Sequence, residues 1–479
     1  MKLVVTSGTF SPARVLATGL ALCIFIFGIV ACGGGGGGGV AATPPSGGGG
    51  GGGGGTPPPA GLFMYAFLPG ASPSTTYSVT GFSVDTTTGA LSAVPSASLA
   101  TTSVPNGTCG TSGCQTQGGT YYPDSILYLA SDADNKIRPF TLNLSTGALT
   151  EQTTATYTYS GFLTTANSSG RAVQSHVPNV LYISPSTAQT NGTATIDAFS
   201  VNSSTGALSA LIGTTVSSST HVGVVTTPSY TVAAACGGTN CSTFTTYAIN
   251  SDGSTGAQNG TTSVIGNAFS LYSNGNSSFL LSTDGTKIYA YPISAAGVGT
   301  TPGVTTNIGG LSGAGTTPNC QNNPTSQSNV VVLSCSSSNN GTTPTYVQGF
   351  SINASGVMTP GSGTFSYTNT YGNNLTFDNS GKYFFTQSGT TSINTEYSID
   401  GSGNIGTVTG TTLTGYIAMP PVGEFLYLQN NGTVTPYQIN SSNGSLTVGT
   451  TQALPGSGSG NQMFLFGGSS VQSYIPLGN

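Results

Sequence analysis

The sequence predicts an all-β protein: a β-propeller of four-stranded antiparallel blades that follows a targeting segment. Two features of the composition predict the β class. Only 4% of the 479 residues are Asp, Glu, Lys or Arg, which usually fill exposed helix faces, and 73 residues are Gly, which suits tight turns. The third observation, a strand–turn–strand pattern that recurs along the chain, predicts the propeller.

Residues 1–31 are predicted to be a lipoprotein signal peptide. The basic residues Lys2 and Arg14 precede an apolar stretch, VLATGLALCIFIFGIVA at residues 15–31, which is the layout of a secretory signal. The stretch is short for a membrane span, and no basic stop-transfer cluster follows it.

The end of this stretch, Ile29-Val30-Ala31-Cys32, resembles the lipobox of bacterial lipoproteins. The resemblance implies cleavage before Cys32 and lipidation of that cysteine, and each methylene buried in the membrane would add about 0.8 kcal/mol to the anchoring. Residue 33 is Gly rather than the Asp that marks inner-membrane retention. We therefore expect a bacterial cell-envelope protein anchored at the outer membrane, on its periplasmic side or at the cell surface. An ordinary signal peptide with a chance cysteine is the alternative.

Residues 32–60 are predicted to be the lipidated cysteine and a flexible linker. Runs of Gly interrupted by Pro fill this segment, so it cannot form an apolar core. A coil of this composition and length spans about 30 Å from end to end. The linker would hold the propeller, predicted at residues 61–479, away from the membrane.

Six cysteines remain after removal of the signal and lipidation of Cys32, and an even number suits disulfides in an oxidising compartment. Many connectivities are formally open, and proximity in the sequence favours pairing of neighbours. The favoured pairs are Cys109–Cys114, Cys236–Cys241 and Cys320–Cys335. A zinc site would favour C-x-x-C spacing or His partners, and neither occurs, so no metal and no other cofactor is predicted.

One hairpin pattern recurs nine times, beginning with VTGFSVDTTTGALSAV at residues 79–94. An aromatic residue and an aliphatic residue two positions later have the spacing of a strand with one buried face. Asp or Asn follows and can hydrogen-bond the backbone to open a turn, and a Gly then supplies a positive φ. The aromatic residues of the nine copies are Phe82, Phe140, Phe199, Tyr247, Tyr291, Phe350, Tyr397, Tyr437 and Tyr474.

A second apolar strand precedes most copies, as at residues 126–129, and a further short strand precedes several of these. A unit thus contains about four antiparallel strands, and a spacing of about 40–50 residues is that of propeller blades. Tandem immunoglobulin-like domains need about 100 residues each, so they fit poorly. Eight hairpins and a terminal fragment favour eight blades, with seven as the alternative. The fragment 463–477 is predicted to pair with the first strands and close the ring.

The repeat resembles the lactonase family of β-propellers, which includes bacterial 6-phosphogluconolactonase and its YVTN-repeat relatives. The shared elements are the hairpin F-S-V-D-x-x-T-G-A-L and the L-Y strand before it, over residues 62–479 and most clearly in the first three copies. The resemblance implies a propeller, usually of seven blades, and it implies hydrolysis of a lactone as an alternative activity.

Catalytic candidates are few, because only five basic residues follow the predicted signal. Lactone hydrolysis needs a base or a metal, and a group that stabilises negative charge. Arg171 and His176 are the weak candidates, since they are predicted at an innermost strand and could face the central channel. A solvated loop is the favoured alternative for both, and for His221. Asp132 and Asp134 alternate like calcium ligands, but without the Gly and distal Glu of an EF-hand loop a turn is favoured.

The composition favours binding over catalysis. A net charge of −5 excludes nucleic acid, whose recognition needs a basic surface. We expect a monomeric, lipid-anchored, non-catalytic scaffold that binds a protein or a carbohydrate through a polar, uncharged surface. The alternatives are a lactonase-like hydrolase that uses the central channel and a structural repeat protein of the cell surface.

Overall fold

The computed structural model confirms an all-β ring of blades. It describes residues 61–468, apart from short gaps. The predicted signal peptide, Cys32, the linker and the residues after 468 lie outside the described part of the chain. The gaps are residues 70–76, 96–98, 100–115, 122–124, 132–135, 159–169, 175–176, 186–193, 219–220, 227–229, 238–240, 274–276, 315–318, 324, 326, 328, 337–343, 369–374, 389–392, 421 and 455–462.

The described residues form 37 β-strands and two short 3₁₀ helices, Thr153–Ala155 and Gly309–Ala314. The strands of the first half are β1 (Leu62–Pro69), β2 (Tyr77–Val84), β3 (Leu91–Ala93), β4 (Thr116–Tyr121), β5 (Ile126–Ser131), β6 (Lys136–Leu142), β7 (Leu149–Glu151), β8 (Tyr157–Thr158), β9 (Gly170–Gln174), β10 (Val180–Pro185), β11 (Ala194–Val201), β12 (Leu208–Ala210), β13 (Val216–Ser218), β14 (His221–Thr226), β15 (Thr231–Gly237), β16 (Thr243–Ile249) and β17 (Thr255–Ser263). The strands of the second half are β18 (Asn267–Ser273), β19 (Ser278–Thr283), β20 (Ile288–Ser294), β21 (Gly297–Val298), β22 (Gly303–Thr305), β23 (Asn319–Asn323), β24 (Val330–Ser336), β25 (Pro344–Ile352), β26 (Met358–Pro360), β27 (Phe365–Thr368), β28 (Leu375–Phe377), β29 (Tyr383–Ser388), β30 (Ile393–Ile399), β31 (Ile405–Thr414), β32 (Tyr416–Ala418), β33 (Phe425–Asn430), β34 (Thr433–Ile439), β35 (Leu446–Val448), β36 (Gln452–Ala453) and β37 (Met463–Gly468).

These strands form eight antiparallel sheets, each of which is one blade. In blades 2 to 8 the strands follow chain order outward from the central channel. The blades are β4–β7, β9–β12, β14–β17, β18–β21, β23–β26, β28–β31 and β32–β35. In five of them the outermost strand continues as a separate short strand, which is β8, β13, β22, β27 or β36.

Blade 1 closes the ring. Its innermost strand is β37, from the far end of the described chain, and β37 pairs antiparallel with β1 from Leu62↔Gly468 to Phe67↔Met463. The strands β2 and β3 complete this sheet. The closure predicted from the terminal fragment is therefore confirmed over residues 463–468, and the blades number eight.

The hydrophobic core lies between successive blades. Because alternate side chains of a strand point to opposite faces, Phe63 and Tyr65 of β1 pack against blade 2, whereas Leu62 and Met64 pack against blade 8. All four side chains are buried. Burial of both faces explains why the second strand of a blade has a nearly continuous apolar sequence.

The repeated hairpin turn forms as predicted. In blade 1 the Asp85 carboxylate accepts the backbone N–H groups of Thr87 and Thr88 at 2.9 and 2.8 Å. Gly89 then adopts a φ of +72°, which favours glycine. The same side-chain cap is formed by Asn143, Asn202, Asn353, Asp400 and Asn440.

A buried tyrosine of the preceding blade hydrogen-bonds several of these turns. The hydroxyl donates to the carbonyl of the turn glycine in the pairs Tyr65–Gly147 (2.7 Å), Tyr128–Gly206 (2.6 Å), Tyr182–Gly253 (2.7 Å) and Tyr427–Gly89 (2.9 Å). The last pair joins blade 8 to blade 1 and so repeats the contact across the ring closure. These glycines are also needed for space, since a Cβ on Gly147 would lie 2.6 Å from the ring of Phe63.

Two of the three favoured cysteine pairs lie at disulfide distance. Cys236 and Cys241 have Cα atoms 5.0 Å apart, and Cys320 and Cys335 have Cα atoms 4.1 Å apart across β23 and β24. The pair Cys109–Cys114 lies outside the described residues. Over the described ranges, no helix is long and apolar enough to cross a membrane.

Candidate functional site

The structure places Arg171 in β9, the innermost strand of blade 3, where its partner is Ser184 of β10. His221 begins β14, the innermost strand of blade 4. Both residues lie in strands, whereas the sequence favoured a solvated loop for each. The candidates that lie outside the described residues are Cys32, Cys109, Cys114, Asp132, Asp134 and His176.

An open cavity of about 470 Å³ lies where the turns of blade 7 meet the β23–β24 loop of blade 6. Its volume falls in the range of small-molecule sites. The cavity, which we call the blade 6–7 pocket, is lined by Gln327, Lys382, Tyr383, Ser398, Ile399, Asp400, Gly401, Asn404, Ile405 and Gly406.

Gln327 is the blade 6 side chain of this pocket, and both hydrogen bonds of its amide nitrogen go to blade 7. The nitrogen Nε2 donates to the backbone carbonyls of Gly381 at 2.6 Å and Ile399 at 3.0 Å. The oxygen Oε1 faces Gly401, 3.9 Å from the position that a Cβ would take there. The two bonds to backbone carbonyls fix the orientation of the amide, so Oε1 is presented as an acceptor.

Asp400 supplies the carboxylate of the pocket and caps the hairpin between β30 and β31. Its Oδ1 accepts the N–H groups of Ser402 and Asn404 at 2.9 Å, and its Oδ2 accepts the side-chain amide of Asn404 at 2.8 Å. These hydrogen bonds, above all the one from the Asn404 side chain, hold the pKa of Asp400 below its ordinary value. The Asn404 amide oxygen in turn accepts from Ser362 of blade 6 at 2.7 Å, so the carboxylate is fixed by both blades.

Lys382 supplies the cation of the pocket from the turn DNSGKY, which leads into β29. The turn is fixed by Asp378, whose carboxylate accepts the backbone N–H of Tyr383 at 2.9 Å and also bonds Ser380. The Lys382 side chain itself is exposed to solvent. The lining of the pocket thus includes one exposed lysine together with Gln327 and Asp400, whose side chains are held by hydrogen bonds.

A carboxyl pair lies behind this turn, between blades 7 and 8. Burial, the charge of Asp378 and a hydrogen bond with Asp378 raise the pKa of Glu424, and Lys382 opposes the shift. Asn379 ties the same junction, because its amide donates to the carbonyls of Pro420 at 3.0 Å and Gly423 at 2.6 Å. Glu424 therefore keeps its proton to a higher pH than a solvent-exposed glutamate, because burial and the nearby negative charge disfavour its ionised form.

Aromatic stacking stiffens the junction of blades 6 and 7. Phe365 of blade 6 stacks on Tyr397 of blade 7 with ring centroids 3.9 Å apart and planes 7° apart. Tyr397 also stacks on the fully buried Phe384 at 5.5 Å. These contacts limit relative movement of the two blades, so the pocket is formed before a ligand arrives.

Most of the described aspartates stabilise turns. Asp85, Asp252, Asp284 and Asp400 each accept hydrogen bonds within their own turn, and these bonds lower their pKa values, to about 2 for Asp284. Such carboxylates are weak bases at neutral pH. Within the described ranges, no group of three or more His, Cys, Asp or Glu side chains is placed to hold a metal ion.

An ion pair is buried inside blade 2. Arg138 and Glu151 lie 3.7 Å apart, with side chains that are 4% and 6% exposed. Sequence reasoning counted Arg138 only as one of the five basic residues that follow the predicted signal. It also passed over Gln327, Lys382 and Asn404, whose shared position arises only when blade 6 packs on blade 7.

Comparisons with known proteins give the following similarities. No protein-family model matches the chain, and no curated protein matches it. A solved structure of a candidate 6-phosphogluconolactonase from Bacteroides fragilis is similar, with 15% identity, a TM-score of 0.42, and coverage of 74% of this chain and 98% of that one. A candidate 6-phosphogluconolactonase from Bacteroides uniformis has 12% identity, a TM-score of 0.42, and coverage of 85% and 99%. A protein from Lactobacillus plantarum has 13% identity, a TM-score of 0.43, and coverage of 85% and 99%.

Proposed function

We propose that this protein is a lipid-anchored β-propeller of the bacterial cell envelope that binds a protein or carbohydrate partner and catalyses no reaction. The observation that carries the proposal is the blade 6–7 pocket, whose fixed polar groups are Gln327 and Asp400. A rigid pocket of fixed acceptors suits recognition, because its groups lose little conformational freedom when a ligand binds.

The state of the four turn-capping aspartates also favours binding over hydrolysis. A general base works best with a pKa near the working pH. Asp85, Asp252, Asp284 and Asp400 have lowered pKa values because they cap turns. Arg171, the described candidate for stabilising a developing negative charge, lies on an innermost strand of blade 3, whereas the pocket lies between blades 6 and 7.

The activity is tested by a lactone-hydrolysis assay on the purified full chain in detergent, with gluconolactone as substrate and Arg171→Ala beside the unmodified protein. We expect the same rate as the buffer blank for both. Hydrolysis above the blank that Arg171→Ala abolishes would overturn the proposal in favour of a hydrolase that uses the central channel.

The membrane anchor is tested by fractionation of cells that express Cys32→Ser. Loss of the lipid-bearing sulfur is expected to move the protein from the membrane fraction to the soluble fraction. Cys23→Ser is the matched control, because Cys23 lies before the predicted cleavage point and should leave the distribution unchanged. Membrane association that survives Cys32→Ser would contradict the anchor.

A further inference from the structure

The blade 6–7 pocket presents a specific set of hydrogen-bonding groups. Its fixed acceptors are the amide oxygen of Gln327 and the carboxylate of Asp400, and its donor is the ammonium group of Lys382. Adjacent hydroxyl groups of a saccharide complement such a set, because each hydroxyl can donate to one group and accept from another.

From this arrangement we infer that the pocket is a carbohydrate-binding site for neutral saccharides, in which hydroxyl groups donate to Gln327 and Asp400 and accept from Lys382. The inference rests on the proposed binding function and names its ligand class. No covalent step is involved.

A neutral ligand fits this pocket better than a zwitterion such as an amino acid. Recognition of a zwitterion would rely on ion pairs with Lys382 and Asp400, which are both exposed. Exposed ion pairs contribute little, because water and salt screen them. The neutral groups of Gln327, Ser398 and Asn404 add hydrogen-bonding capacity that a saccharide uses and a small zwitterion leaves unused.

The repeats of this chain supply matched variants for a test. Asp400→Asn removes the pocket carboxylate but keeps a turn-capping side chain, since Asn caps the equivalent turns at Asn143 and Asn440. Asp85→Asn makes the same change in blade 1, far from the pocket, and serves as its control.

A second pair of variants tests the role of the Lys382 ammonium group. Lys382→Met removes an exposed ammonium group, so the fold should be unaffected. Lys287→Met is its control, because Lys287 is another exposed lysine, in the turn before the third strand of blade 5 and away from the pocket. Thermal unfolding of each variant checks that the fold is retained.

The experiment is isothermal titration of the full chain in detergent with maltose, cellobiose, lactose and sucrose, and with L-alanine as the zwitterion. We expect at least one disaccharide to bind. Asp400→Asn and Lys382→Met should each weaken that binding about threefold, because a hydrogen bond to an exposed group replaces one to water, and both control variants should bind as the unmodified protein does.

Three results would overturn the inference, and each is distinct from failure of the proposed function. Binding of L-alanine without any disaccharide would show the wrong ligand class, and the absence of all binding would remove the carbohydrate site. Disaccharide binding that survives both pocket variants would place the site elsewhere and leave the proposed binding function standing. The proposed function itself is overturned by the hydrolysis assay, and its membrane anchor by the fractionation of Cys32→Ser.

Discussion

Replacing Tyr427 by Phe removes a single hydrogen bond at the junction where blade 8 meets blade 1. The Tyr427 hydroxyl donates to the Gly89 carbonyl at 2.9 Å, and the side chain is 0% exposed. Phe preserves the ring and its packing, so the change isolates the hydroxyl. Leaving a buried carbonyl without its donor costs about 1–3 kcal/mol of unfolding free energy.

Two further substitutions provide comparisons for the loss of unfolding free energy that Tyr427→Phe causes. Tyr65→Phe removes the equivalent hydrogen bond, of 2.7 Å, between blades 1 and 2, which are adjacent in the sequence. We expect it to destabilise the protein as much as Tyr427→Phe does. Tyr416→Phe is the control, since that side chain is 42% exposed and its loss should change stability by no more than about 0.5 kcal/mol.

The assay is urea unfolding of the full chain, followed by tyrosine fluorescence because the sequence contains no Trp. Tyr427→Phe and Tyr65→Phe should lower the midpoint to a similar extent without changing the denaturant slope. If Tyr65→Phe destabilises the protein while Tyr427→Phe behaves like Tyr416→Phe, blades 8 and 1 do not meet as described. The eight-bladed closed ring would then be refuted.

Three other predictions concern separate parts of the structure. The pKa of Glu424 is raised in the folded protein, so the folded protein keeps this proton to a higher pH than the unfolded chain does. The free energy of unfolding should therefore fall as the pH rises from the ordinary pKa of Glu to the raised pKa of Glu424. Glu424→Gln should reduce that fall in a pH series of urea midpoints, and an unchanged profile would contradict the carboxyl pair. Gly147→Ala should destabilise by about 2 kcal/mol or more through overpacking and a positive φ, whereas Gly401→Ala, whose Cβ would meet nothing closer than 3.9 Å, should be nearly neutral in the same assay. Arg138→Met should cost about 3–5 kcal/mol because it removes the cation that lies 3.7 Å from the buried Glu151 carboxylate, and Arg138→Met combined with Glu151→Leu should recover most of that loss.

The hairpins could be predicted from the sequence because their determinants are local. Asp85 caps residues two and three positions ahead, and Gly89 takes the positive φ that the turn needs. The repetition of this pattern also predicted the ring and its closure by residues 463–468, since a blade left with too few strands must obtain one from the other end of the chain.

The pocket could not be predicted from the sequence, because its groups come together only through packing between blades. Gln327 has no motif around it, and its role follows from two bonds to carbonyls of the next blade. Asp400 looks like any other turn-capping residue of the repeat. For the same reason the sequence does not show that Arg138 is buried against Glu151.

The location of a bound saccharide tests the central claim most directly. A crystal structure of the full chain soaked with a disaccharide that binds in titration would show it. We predict density for the sugar between Lys382 and Asp400, with a hydroxyl within hydrogen-bond distance of the Gln327 amide oxygen. Density in the central channel beside Arg171, with an empty blade 6–7 pocket, would contradict the account.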